Sequence, residues 1–183
     1  TPVVSSAASD VYKRQEAILE LELVGSNNAN IVWEWHLWDH LIQDVDPELP
    51  NYGVVADHPE LQDINYGNVG SNSDPLGPNG DWKHLNSIDY NEDLDQIIIS
   101  SRHHDEIYII DHSTTTEEAA SSSGGNYGKG GNYLYRWGNP QTYGRGNELD
   151  HLLSVQHGVN WIQKGFPGTV SYTHLRAHET EYD

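Results

Sequence analysis

The sequence predicts a mainly β fold with long loops and one short helix. Two patterns carry this expectation: apolar residues recur with period two or in short β-branched runs, and a strong helical period is scarce. A third is punctuation, because Gly, Pro, Asn and Asp cluster between those runs and mark turns.

ILELELV (Ile18–Val24) alternates apolar and acidic residues, as a half-buried strand does. GSNNAN (Gly25–Asn30) is turn chemistry, and IVWEWHLW (Ile31–Trp38) returns with β-branched and aromatic residues. The pair reads as a hairpin. DHLIQDVD suits one helical turn. Asp46 to Gly80 is rich in Pro, Gly, Asn and Asp and reads as a long ordered loop. HLNSIDY (His84–Tyr90), QIIISSR (Gln96–Arg102) and IYIIDH (Ile107–His112) are three short strands joined by the turns NEDLD and HHDE. They predict an antiparallel meander of the kind that builds propeller blades. STTTEEAA (Ser113–Ala120) offers a Ser/Thr cap followed by acidic residues, a short helix start. SSSGGNYGKGGN (Ser121–Asn132) is a tightly turning Gly-rich connection, and it lacks the order of a phosphate-binding loop. YLYRWGNP (Tyr133–Pro140) and LLSVQHGVNWI (Leu152–Ile162) complete the strand regions.

Composition narrows the function. The 183 residues carry 9 Lys+Arg against 28 Asp+Glu, a net charge of −19, which argues against nucleic acid and anionic membrane as partners. Six Trp and 11 Tyr supply a core, most of the Trp being expected to pack within it. The absence of Cys removes disulfides, thiol catalysis and Cys-ligated zinc. No apolar run approaches the ~20 residues that span a bilayer.

Both ends look foreign to the fold. DVYKRQ (residues 10–15) and VSYTHLRAHET (170–180) resemble translations of the transposase end and adapter used to prepare sequencing libraries. Residues 1–15 and 170–183 are therefore read as appended tails, and 16–169 as a piece of one domain. The acidity survives trimming, with 6 basic and 24 acidic residues and a net −18.

Histidine dominates the candidate chemistry, since 9 of the 11 lie within 16–169. His84 and Asn86 stand two apart on a predicted strand and share a face, with Arg102 at the end of the strand expected to pair with theirs. An imidazole, an amide and a guanidinium suit a tetrahedral oxyanion. The same residues also read as a surface His beside a salt-bridged Arg. His103, His104, Asp105, His112, Asp39 and His40 match no standard metal spacing, so no metal site is assigned.

DWKHLNSIDYN, IIISSRHHDEIYIIDHSTTTEEAA and YRWGNPQTY, with VWEWHLWDHLIQD, NYGVVADHPEL and SVQHGVNWI, resemble the arylsulfotransferase family, the aryl-sulfate-dependent type that does not use PAPS. The resemblance covers nearly all of 16–169. It implies several blades of a six-bladed β-propeller, exported or periplasmic and sometimes homodimeric. It also implies sulfuryl transfer from a phenolic sulfate donor to a phenol acceptor through a sulfated histidine, with no metal or soluble cofactor needed. The family's HxNS motif falls on His84, Asn86 and Ser87, its SSRH arginine on Arg102, and its nucleophilic histidine on His157. His157 would then attack sulfur, His84 would move the proton, and His84, Asn86 and Arg102 would bind the sulfuryl oxygens. Gly158 departs from the acidic residue expected after the nucleophile. A further histidine of the family, from an earlier blade, has no counterpart in 16–169; His36 and His40 are read as packing residues instead. The alternatives are a non-catalytic propeller that binds a ligand or protein and, more remotely, a metal-dependent sulfatase or phosphatase.

Overall fold

The computed structural model describes residues 13, 15–67, 80–169 and 171–175. Residues 1–12, 14, 170 and 176–183 of the predicted tails, and 68–79 of the predicted long loop, lie outside the described residues. The chain is mainly β, with several sheets, none closed, consistent with part of a propeller.

Strands β1 (Ala17–Val24) and β2 (Asn28–His36) form the expected hairpin, with Val24 opposite Asn28. Gly25 turns the chain at a φ of 66°, where a side chain would be strained. The alternation of β1 does not produce a half-buried face. Only Ile18 is buried, while Leu19, Leu21 and Leu23 are 47%, 53% and 80% exposed. A register shift at Glu20/Leu21 breaks the side alternation, and β2 is the one strand paired with β1 among the described residues.

The predicted helical turn falls slightly earlier, as a 3-10 turn at Leu37–His40. The long loop is ordered where it is described. Its start is tied down by β3 (Leu41–Ile42), which pairs in parallel with β4 (Gln62–Asp63).

The meander is a four-stranded sheet in sequential order. It comprises β5 (Leu85–Asn91), β6 (Gln96–Ser101), β7 (Glu106–Asp111) and, after α1 (Thr116–Ala119), β8 (Tyr135–Trp137). α1 starts on a capping box. The Glu118 amide donates to Thr115 Oγ1, and the Thr115 amide donates to the Glu118 carboxylate. The Gly-rich connection then lies directly on the core. The Trp35 indole donates to Gly131 O at 2.7 Å, and a Cβ on Gly131 would stand 2.0 Å from Ala119 O.

The apolar run of β6 is explained by burial on both faces. Ile97 and Ile99, with Tyr108 and Ile110 of β7, pack against Trp33, Trp35 and Trp82. Ile98, Ile107 and Ile109 face the opposite way, towards Val159 and Trp161 of β9 (His157–Trp161). All six Trp lie in or against these two clusters. β10 (Tyr172–Leu175), inside the segment read as a tail, pairs antiparallel with β9.

Candidate functional site

The segments that carry the assigned residues meet at one edge of the sheet: the start of β5, the β6–β7 turn and the start of β9. The register sets this, because Leu85 stands opposite Ser101. The turn is tied to the segment before β5 by main-chain bonds, Arg102 N to His84 O at 3.1 Å and His103 N to Lys83 O at 3.3 Å. Ser101 Oγ also donates to Lys83 O.

His84 and Asn86 do not share a face as their spacing predicts. β5 starts at Leu85, His84 sits in the left-handed region at φ 51°, and the register shifts between Leu85 and Ser87. The two side chains therefore diverge. His84 Nδ1 donates to Asp81 Oδ2 at 2.6 Å, and its ring lies 4.9 Å from that of His103. Arg102 Nη1 donates to His103 Nε2 at 3.1 Å, and His103 Nδ1 donates to Asp81 O. His84 and Arg102 are thus linked through His103. Gln15, Glu16, Asp81, His84 and Leu85 line a cavity of about 350 Å³. Burial pushes the Glu16 carboxyl above its usual range.

Asn86 turns towards β9 instead. Its Nδ2 donates to Gln156 O at 2.8 Å, and its buried Oδ1 meets no donor. Ser87 Oγ accepts from Val159 N at 2.9 Å. Gln156 is fully buried and donates from one amide nitrogen to Ser101 O and Glu106 O, which staples the start of β9 to both strands of the turn. His157 then donates from Nδ1 to Val155 O at 3.0 Å. That bond places a proton on Nδ1, which in the neutral ring leaves the lone pair on Nε2. The HxNS residues and the Gln before His157 therefore join the two halves of the site by hydrogen bonds across about 70 residues.

Ligand atoms of Asp81, His84 and His103 all lie within 4.8 Å of one another, a spacing that suits a metal ion. These groups already bond to one another, His84 Nδ1 to Asp81 Oδ2 and Arg102 Nη1 to His103 Nε2. Cationic and acidic groups therefore stand side by side, Arg102 with the two imidazoles against the carboxylates of Asp81 and Glu16.

Other histidines play structural parts. His40 is fully buried, stacks on Trp35 at 5.5 Å and bonds to Ala119 O and the Asn132 side chain. That is the packing role expected of it. His104 is buried between Tyr66 and Trp82 with no partner for either ring nitrogen. His36 pairs with Glu34 at the surface. A larger cavity, about 470 Å³, lies at the opposite end of β6 among Gln96, Ile109, Tyr135, Trp161 and Tyr172, away from these groups.

Sequence reasoning did not single out Asp81 or Gln156, and it weighed His103 and Asp105 only as metal ligands, not as the links they form here. Their local signals are Asp three residues before His84, the doubled His after Arg102, and Gln before His157. None of these signals has meaning until the segments are brought together.

The family model described as Arylsulfotransferase (ASST) matches residues 7–164. No curated protein and no solved structure matches the chain.

Proposed function

Since the chain belongs to the arylsulfotransferase family, we propose that it moves a sulfuryl group from a phenolic sulfate ester to a phenol through a sulfated His157. The observation that carries this reading is the Nδ1 bond of His157 to Val155 O. A neutral imidazole that donates from Nδ1 holds its lone pair on Nε2, the form a nucleophile needs.

In the first half-reaction the Nε2 lone pair forms a bond to sulfur, the bond from sulfur to the aryl oxygen breaks, and the phenolate leaves. His84 supplies the proton to that phenolate; Asp81 holds its ring and stabilises the imidazolium state. Arg102 balances charge on the sulfuryl oxygens. The second half-reaction is the reverse with a new phenol, whose proton returns to His84 as the bond from sulfur to His157 breaks. Splitting one transfer into two through a covalent intermediate lowers each barrier. Asn86, which the resemblance puts on the sulfuryl oxygens, supports the site by holding Gln156 O beside His157. The same reading carries an exported or periplasmic location.

The test uses the enzyme expressed from its complete reading frame, with 4-nitrophenyl sulfate as donor and phenol as acceptor. Nitrophenol release that depends on phenol is expected, and His157→Asn abolishes it. Release at the wild-type rate by His157→Asn would refute the nucleophile. A wild-type protein that binds aryl sulfates without turnover would favour the non-catalytic binding module.

A further inference from the structure

The residue that holds the proposed nucleophile in place lies 52 positions before it in the chain. Asp105 occupies the last position of the β6–β7 turn at a φ of 55°. Its Oδ1 accepts from Val155 N at 2.6 Å, and its Oδ2 lies 3.0 Å from His151 Nε2. Val155 is β-branched yet sits at φ 45°, a conformation that costs on the order of 1–3 kcal/mol unless its surroundings impose it. The carbonyl of this same residue accepts the Nδ1 proton of His157. One carboxylate therefore holds the N–H of a strained residue whose C=O accepts from the imidazole.

The arrangement has further supports. Gly138 lets the turn and the segment before β9 approach, since a Cβ there would stand 2.1 Å from Asp105 O. Leu152 N donates to Gly138 O at 2.7 Å, and the Gln156 side chain clamps the next residue. The Asp105 side chain is about 20% exposed, so its bonds are largely shielded from water.

We propose that Asp105 is a positioning residue for His157, acting through the main chain of Val155 to hold the Val155 carbonyl, and with it the tautomer and aim of the imidazole. The inference rests on the reading of His157 as the sulfuryl acceptor. Asp105 touches no substrate; it sets the line along which Nε2 approaches sulfur. Such an effect appears in the rate of the bond-forming step and leaves donor binding alone, because a misplacement of about 1 Å costs on the order of 10²-fold in rate.

The experiment is a pre-steady-state burst of nitrophenol from 4-nitrophenyl sulfate, with steady-state kcat and donor KM, on wild type, Asp105→Ala, Asp105→Asn and His157→Asn. Thermal unfolding is followed on each. Asp105→Ala is expected to slow the burst on the order of 10²-fold with donor KM within about twofold. Asp105→Asn keeps an oxygen for Val155 N but loses the charge and turns an amide nitrogen towards His151 Nε2, so a slowing of about threefold to tenfold is expected. If Asp105→Ala fails to fold, the burst of a folded Asp105→Asn decides alone. A wild-type burst in a folded variant, or a raised KM with an unchanged burst, overturns the positioning role. A silent His157→Asn beside a wild-type-like Asp105→Ala overturns this inference alone. A His157→Asn that still gives the full burst overturns the reading of His157, and this inference with it.

Discussion

Replacing Arg136 with Met should remove a large share of the stability of the sheet that carries the site. Arg136 is 4% exposed at its side chain and Glu106 is fully buried. The guanidinium donates to both carboxylate oxygens, Nε to Oε1 at 2.9 Å and Nη2 to Oε2 at 2.5 Å. It also caps Pro59 O at 3.1 Å and Leu61 O at 3.0 Å. Met retains much of the apolar stem but none of the donors. Glu106 is then left with the hydroxyls of Tyr108 and Thr142, and with the buried Lys83 only at one remove, through the Tyr108 hydroxyl. An uncompensated buried charge costs about 3–5 kcal/mol, and each orphaned carbonyl adds about 1–3 kcal/mol unless water enters. That is a large share of the roughly 5–15 kcal/mol that holds a domain together. The assay is urea unfolding at neutral pH followed by Trp fluorescence, run as a double-mutant cycle with Glu106→Gln. Because the isolated charge carries the penalty, the double variant should recover most of it. Activity should fall with stability, since Glu106 O is one of the two carbonyls that anchor Gln156. A loss under about 1 kcal/mol for Arg136→Met, or a double variant as unstable as the sum of the singles, would refute this reasoning.

Two further outcomes follow from the same geometry. Burial holds the imidazoles of His40 and His104 below their ordinary value, so the fold keeps them neutral while the unfolded chain takes up protons below about 6.5. The unfolded state then binds more protons, and stability falls as pH drops from about 7 towards 5.5. The raised carboxyls of Glu16 and Asp63 act with the opposite sign, nearer the carboxylate range. Urea midpoints across that window should slope downward for wild type and less so for His104→Phe; equal slopes would show that His104 is not a source. Gly138→Ala should lose about 2–6 kcal/mol, because its Cβ would meet Asp105 O at 2.1 Å and its φ is 134°. A calorimetric midpoint like that of wild type would contradict the close approach.

Much of the local structure was legible in the sequence because local interactions specify it. The Ile run of β6 reads as a strand, and Thr115 with Glu118 reads as a helix start, since each rests on contacts within a few residues. The motifs around His84, Arg102 and His157 identified the family, and the family model agrees over residues 7–164. Residue spacing also misled in places. A strict period of two put His84 and Asn86 on one face, and it gave β1 a buried side that the hairpin does not have.

The sequence by itself determined the class of the fold, the short strands and their turns, the strong acidity and the family. Tertiary structure alone decided what the site residues do for one another. Asn86 meets Gln156 across 70 positions, Asp105 meets Val155 across 50, and Gln156 reaches Ser101 across 55. Periodicity reports which side of a strand a residue occupies and nothing about which distant peptide it will face. That pairing follows from strand register, from the bulge at Leu85/Ser87 and from left-handed turns at His84, Asp105 and Val155. These are held by packing and hydrogen bonds that exist only once the sheets have come together.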